Sequence, residues 1–176
     1  VGEIRDKATV DIALKASLTG HLVFSTLHTN DAPSSITRLQ NMGTPNYLIS
    51  AALTLIMAQR LARRNCSECR EKDENVTPKL LNSIGFLPEQ SARAKIYKGK
   101  GCDQCGNTGF KGRMGIYEIL EIDKELKHGI LSDMSQAELN AIAKKNGFRT
   151  MQEMGHDLLL SGDLCYSEFE RVLQSN

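Results

Sequence analysis

Apolar positions along this chain change their spacing several times, and each spacing predicts a different element. Residues 7–19 are alanines and other good helix formers, with Ile12, Ala16 and Thr19 on one side, and predict a short helix closed by Gly20. The run from His21 to His28 (His-Leu-Val-Phe-Ser-Thr-Leu-His) is β-rich and mostly apolar, which predicts a strand in a sheet buried on both faces. Asn30 and Asp31 then stand as helix caps with Pro33 in the first turn. Ala32, Ile36, Leu39 and Met42 follow at helical spacing, and Gly43 supplies the stop. Residues 46–58 are apolar nearly all round and predict a buried helix, from which Gln59 to Asn65 leads through three arginines to the first cysteine.

The pattern then loosens. Residues 65–114 hold four cysteines, a short helix opened by Thr77-Pro78 and closed by Gly85, and six glycines, as in a small loop-rich insertion. Met114 to Ile122 returns to a strand-like alternation. Beyond it, Ser135/Glu138, Thr150/Glu153 and Ser167/Glu170 each place a hydroxyl three residues before a glutamate, the signature of a helix capping box, and Gly147 and Gly162 stop two of those helices.

Composition adds limits. The 176 residues carry 22 basic and 21 acidic side chains, a formal charge of +1, so the balance gives no argument for a dedicated nucleic-acid partner. The charge is unevenly placed: residues 1–64 sum to +3, residues 65–114 to +3 and residues 115–176 to −5. These shifts mark three expected parts, 1–64, 65–114 and 115–176. The longest apolar-rich run, Tyr47 to Ala58, is too short for a membrane-spanning helix, and no signal peptide opens the chain. The opening Val-Gly-Glu-Ile-Arg-Asp lacks an initiator Met and reads as a strand cut open, so the chain is expected to be a fragment.

The cysteines carry the strongest local chemistry. Cys66, Cys69, Cys102 and Cys105 form two Cys-x-x-Cys pairs and Cys165 stands alone, an odd count that argues for a metal in a reducing, cytosolic compartment rather than for disulfides. Two such turns bring four soft thiolates together as a tetrahedron and leave no open position, so the zinc they predict is structural; the alternative is four free or redox-active thiols. The segment has few large apolar residues, so metal binding would supply folding free energy. Cys165 reads as a small buried side chain. Glu3 is an acid at the end of a strand, which is either a cap or salt-bridge partner or, at the carboxyl edge of a parallel sheet, a group that orients a water toward a γ-phosphate with Mg²⁺ nearby. His21 and His28, seven residues apart, fall on opposite faces of a regular strand and are not expected to share one metal.

Gly2-Glu3-Ile4-Arg5-Asp6, the run from Thr19 to Ala32, Arg38-Leu39 with Asn41-Met42-Gly43, Ala58-Gln59-Arg60-Leu61 before the first cysteine pair, Gly101-Cys102 with Cys105, and Gly112-Arg113 with Gly115-Ile116-Tyr117-Glu118 together resemble the hexameric ATPases of type II secretion and type IV pilus assembly. The resemblance implies an α/β fold. It would be the C-terminal portion of a RecA-like ATPase core (1–64, with Walker B motif and histidine box), a tetracysteine zinc-binding insertion (65–114), and a return strand with an α-helical C-terminal subdomain (115–176). It implies Glu3 as the Walker B catalytic glutamate, His21 as the nucleotide sensor near the γ-phosphate, His28 as a helper in the same box, and Cys66, Cys69, Cys102 and Cys105 as the zinc ligands. Retraction ATPases resemble the core but usually lack the cysteines, which favours assembly over retraction, and details such as Asn-Met-Gly look closer to pilus assembly than to secretion.

What the resemblance further implies is a cytoplasmic motor, peripheral to the inner membrane, that hydrolyses ATP with Mg²⁺ as a homohexamer and acts on an inner-membrane platform protein. The sequence contains no Gly-x-x-x-x-Gly-Lys-Ser/Thr phosphate loop, so this chain alone is expected neither to bind ATP tightly nor to hydrolyse it. The rival from another class is a zinc-ribbon interaction module binding nucleic acid through Arg60, Arg63, Arg64, Lys98, Lys100, Lys111 and Arg113. Those residues lack interleaved aromatics, and the module would leave Glu3 and the histidines unexplained.

Overall fold

The computed structural model describes residues 1–174, which divide into two compact units: residues 1–58 with 118–149, and residues 59–117 with 150 onward. Of the residues from 115 onward, 118–149 fall in the first unit, and 115–117 with 150 onward in the second. Among the described residues no helix is long and apolar enough to cross a membrane.

In the first unit, α1 (Lys7–Leu18) is capped by Asp6, whose carboxylate accepts the Thr9 N–H, and ends at Thr19 before Gly20. Its buried positions are Val10 and Ala13, while Ile12 is exposed, so the inward face is rotated from the one that the spacing suggested. The expected strand 21–28 is extended but forms no ladder. It bonds residues 1–4 through Ile4 N–H to the Thr26 carbonyl and Thr26 Oγ1 to the Gly2 carbonyl, both 2.9 Å. Among the described residues no further strand lies beside it, and Leu22 and Phe24 are 80% and 75% exposed, not buried on both faces as expected.

α2 (Ser34–Asn41) has Pro33 at its N-cap; in the turn before it the Asp31 carboxylate accepts the Ser34 N–H, and Gly43 follows the helix in the left-handed region at φ 78°. The predicted 46–58 helix is cut short: α3 spans Asn46–Ala52, and β1 runs Leu55–Asn65. From Leu55 the chain alternates exposed and half-buried residues, and it finds a partner in β4 (Phe110–Glu121), so ladder pairing overrides helical propensity. The Ile122 N–H meets the Thr54 carbonyl and the Cys66 N–H meets the Gly109 carbonyl, so the two strands run in opposite directions. The boundary between the units falls within both strands. After β4, Asp123 caps α6 (Lys124–Leu131) and Ser135 with Glu138 makes the predicted box of α7 (Gln136–Lys145). Ile36, Ile49, Leu120, Leu126, Ile130 and Leu139 close the core, and the buried Glu118 carboxylate accepts the Ala32 N–H at 2.6 Å before α2.

In the second unit, β2 (Arg70–Lys72) pairs antiparallel with β3 (Tyr97–Gly99), with Arg70 opposite Gly99. Between them lie α4 (Pro78–Ser83), capped by Thr77 as predicted, and α5 (Pro88–Arg93). The predicted Thr150/Glu153 box opens α8 (Met151–Ser161), which Gly162 ends in the left-handed region. The third box does not form. α9 (Tyr166–Phe169) begins one residue before Ser167 with the buried Cys165 at its cap, Ser167 Oγ lies 3.3 Å from Cys165 Sγ, and Glu170 passes into a wider π-type turn.

Candidate functional site

The two knuckles of the second unit bring Cys66, Cys69, Cys102 and Cys105 together, with all four sulfurs within 4.8 Å of one another. Three separations are 3.9, 3.9 and 3.7 Å (66 to 102, 69 to 105, 102 to 105). A tetrahedron of sulfurs at the ~2.3 Å Zn–S distance has edges of about 3.8 Å, whereas a disulfide needs about 2.05 Å. The spacing therefore fits one tetrahedral ion and not two bridges, and all five cysteines are free thiols.

The backbone is shaped for this convergence. Cys105 closes a 3₁₀ turn (Asp103–Cys105), after which Gly106 and Asn107 both take left-handed backbone angles. Main-chain N–H groups then aim at sulfur: Gly101 at Cys69 (3.2 Å), and Cys102 and Gly109 at Cys105 (3.2 and 3.3 Å). Gly99 and Gly109 lie backbone against backbone, where a Cβ on Gly99 would stand 1.9 Å from the Gly109 oxygen. Burial pushes the Cys69 and Cys102 thiols up, Cys102 to about 11. Burial also opposes ionisation of Cys105, but the Cys102 and Gly109 N–H groups outweigh it and bring that thiol down to about 6. A bound divalent cation would supply the positive charge that lets the remaining thiols ionise.

The first knuckle hangs on a polar framework that the sequence reading did not anticipate. Asn65, buried beside Cys66, donates Nδ2–H to the carbonyls of Tyr97 and Gly162. Glu168, fully buried, accepts the Arg63 N–H at 2.7 Å and both the Arg63 and Arg171 guanidinium groups. Burial works against its charge, yet these bonds hold the carboxyl down at about 2. Arg63 also stacks 4.1 Å above the Phe110 ring. An acid within an amphipathic helix gives no sequence signal of such a partner.

In the first unit, Glu3 meets His28 and not His21. Its Oε2 accepts Arg5 Nε–H at 2.6 Å, and its Oε1 contacts His28 Nε2. The hydrogen bond from Arg5 holds the carboxyl below the usual range. His21 lies at the end of α1, its Nδ1 3.2 Å from both the Ala16 carbonyl and Thr19 Oγ1.

The family model described as "Type II/IV secretion system protein" matches residues 1–171. The chain belongs to that family. It is 46% identical over 162 residues to the type IV pilus assembly ATPase PilB of Thermus thermophilus (92% of this chain, 18% of that protein). It is 43% identical to PilB of Myxococcus xanthus (96% and 30%) and 37% identical to the type II secretion system protein HxcR of Pseudomonas aeruginosa (98% and 32%). It spans less than a third of the length of each of these three relatives. Its fold is that of the pilus retraction motor PilT with bound ADP (TM-score 0.61, 25% identity, 96% of this chain and 37% of that one). The Legionella pneumophila ATPase DotB shares it (TM-score 0.61, 19% identity, 97% and 37%). The α/β fold is thus that of the RecA-like secretion ATPases, with a cluster of four cysteines able to hold a metal.

Proposed function

We propose that the chain forms part of a longer motor ATPase that powers type IV pilus assembly. The observation that carries this reading is the 46% and 43% identity to pilus assembly ATPases, above the 37% to HxcR. Type II secretion is the second reading, favoured by that 37% match over 98% of the chain. The zinc-ribbon module recedes, because the family match takes in Glu3 and the histidines as well as the cysteines.

ATP with Mg²⁺ is the substrate in this proposal, and the metal would neutralise phosphate charge. Glu3 orients the attacking water. His28, in contact with Glu3, is the histidine best placed to act beside it; His21 keeps the nucleotide-sensing role that its motif implies, with α1 as its support. Cys66, Cys69, Cys102 and Cys105 hold a structural Zn²⁺ that adds folding free energy to that of the lobe's buried Leu81, Ile84, Phe86 and Ile96. A homohexamer at the cytoplasmic face of the inner membrane, pushing on a platform protein, completes the proposal.

The test is Glu3→Gln in the longer protein. ATP turnover is expected to fall at least about 100-fold, the scale of a lost acid–base or positioning group, with the fold unchanged by circular dichroism. Turnover within threefold of wild type would refute the assignment. Pilus formation against protein export in cells carrying the variant separates the two machines.

A further inference from the structure

We propose that Arg5 is a positioning residue for Glu3: together with His28 it holds the glutamate closed until an anionic phosphoryl group draws both partners away. The inference rests on the reading of Glu3 as the group that orients water.

Each oxygen of one carboxylate faces a different side chain: Oε2 accepts a hydrogen bond from Arg5, and Oε1 lies against His28 Nε2 without the alignment of a hydrogen bond. A carboxylate in that state is a weak acceptor for a water proton, because the charge that would draw the proton is already neutralised. The three side chains differ in freedom. Glu3 is only 21% exposed, whereas Arg5 and His28 are 75% and 83% exposed. Among the described residues neither Arg5 nor His28 has a side-chain partner other than Glu3. The glutamate is therefore the fixed member and its partners the mobile ones, held by exposed interactions that cost little to break.

A terminal phosphate carries more charge than a carboxylate and presents three oxygens, a better match for a guanidinium fork and an imidazole N–H than Glu3. The geometry makes the anion and the glutamate competitors for the same two side chains. Anion arrival and exposure of the Glu3 oxygens are then one event, and the site stays closed to water when no phosphate is present.

Competition is measurable without hydrolysis. The chain is titrated with inorganic phosphate at constant ionic strength while the His28 ring and Arg5 guanidinium resonances are followed by NMR. In the wild type both are expected to move together and saturate. Glu3→Gln frees both partners and should tighten phosphate about two- to fivefold, the contribution of an exposed ion pair. Arg5→Gln should weaken phosphate and shrink the His28 response. Asp6→Asn removes the same charge one residue from Arg5 and still caps α1, and it should leave the affinity unchanged. Equal affinity of wild type and Glu3→Gln, equal tightening by Asp6→Asn, or no saturable shift in any form would each overturn the proposal. ATP turnover of Glu3→Gln in the longer protein tests the underlying reading separately, so either can fail alone.

Discussion

Replacing Glu168 by Gln removes the one carboxylate that joins Arg63 on β1 to Arg171 beyond α9, and the structure sets the size of the effect. The carboxyl is fully buried and is held at about 2 against an ordinary value of 4.5. At 1.36 kcal/mol per pH unit, that gap corresponds to on the order of 3 kcal/mol of stability. The sign follows from the lowered value: the contribution is complete above about pH 4.5, where the unfolded carboxyl is ionised, and fades as pH falls toward about 2. Two facts moderate the loss in the variant. Gln can still accept the Arg63 N–H, and the Arg63 and Arg171 side chains, about half exposed, regain water once released. The expected cost at pH 7 is therefore about 2 kcal/mol, less than for a pair broken in a dry interior. Urea unfolding of zinc-loaded protein, followed by far-ultraviolet circular dichroism between pH 7 and pH 2, measures it. The same titration of metal-free protein separates acid loss of zinc from protonation of Glu168. A difference below about 0.5 kcal/mol at pH 7, or one that stays constant down to pH 2, would refute the reasoning.

Two other outcomes follow from the knuckles. Metal analysis should find one zinc per chain, lost with Cys102→Ser, and chelation should lower the unfolding temperature of the second unit; a metal-free chain melting like the loaded one would overturn the structural role. Gly99→Ala should destabilise by about 3 kcal/mol or more, since its Cβ would stand 1.9 Å from a backbone oxygen that cannot rotate away; a thermal scan showing less than 1 kcal/mol would contradict that close approach.

Local chemistry was legible where a residue and its partner lie within one turn. Thr77, Ser135 and Thr150 cap the helices that their spacing announces, and the paired cysteines converge. Strand identity was not, because it is decided by distant partners. Residues 55–58 look as apolar as the helix before them and become strand only through β4, about sixty positions on. Conversely, 21–28 has every local mark of a strand, but its hydrogen bonds go to residues 1–4 and, at His21, back to Ala16, and it forms no ladder. Glu3 and both histidines are proposed from their motifs, and that Glu3 meets His28 and not His21 depends on where an extended segment turns its side chains.

The four-cysteine lobe shows why long-range closure hides from sequence. Its first knuckle begins at Cys66, and the residues on either side are tied to the short stretch between α8 and α9 and the start of α9. Arg63 pairs with Glu168 and Arg64 with Asp163. The Asn65 N–H meets the Asp163 carbonyl, and Arg70 donates to the Ser161 carbonyl. The second knuckle has a different support, glycine contacts at 99–109 and 101–107 and N–H groups of its own turn. One half of the thiolate cage is thus positioned by residues about a hundred positions away, the other by backbone that only glycine allows. The capping box at Thr150 and the stop at Gly162 then do more than bound a helix: they deliver residues 161–168 to the end of β1, one residue before Cys66.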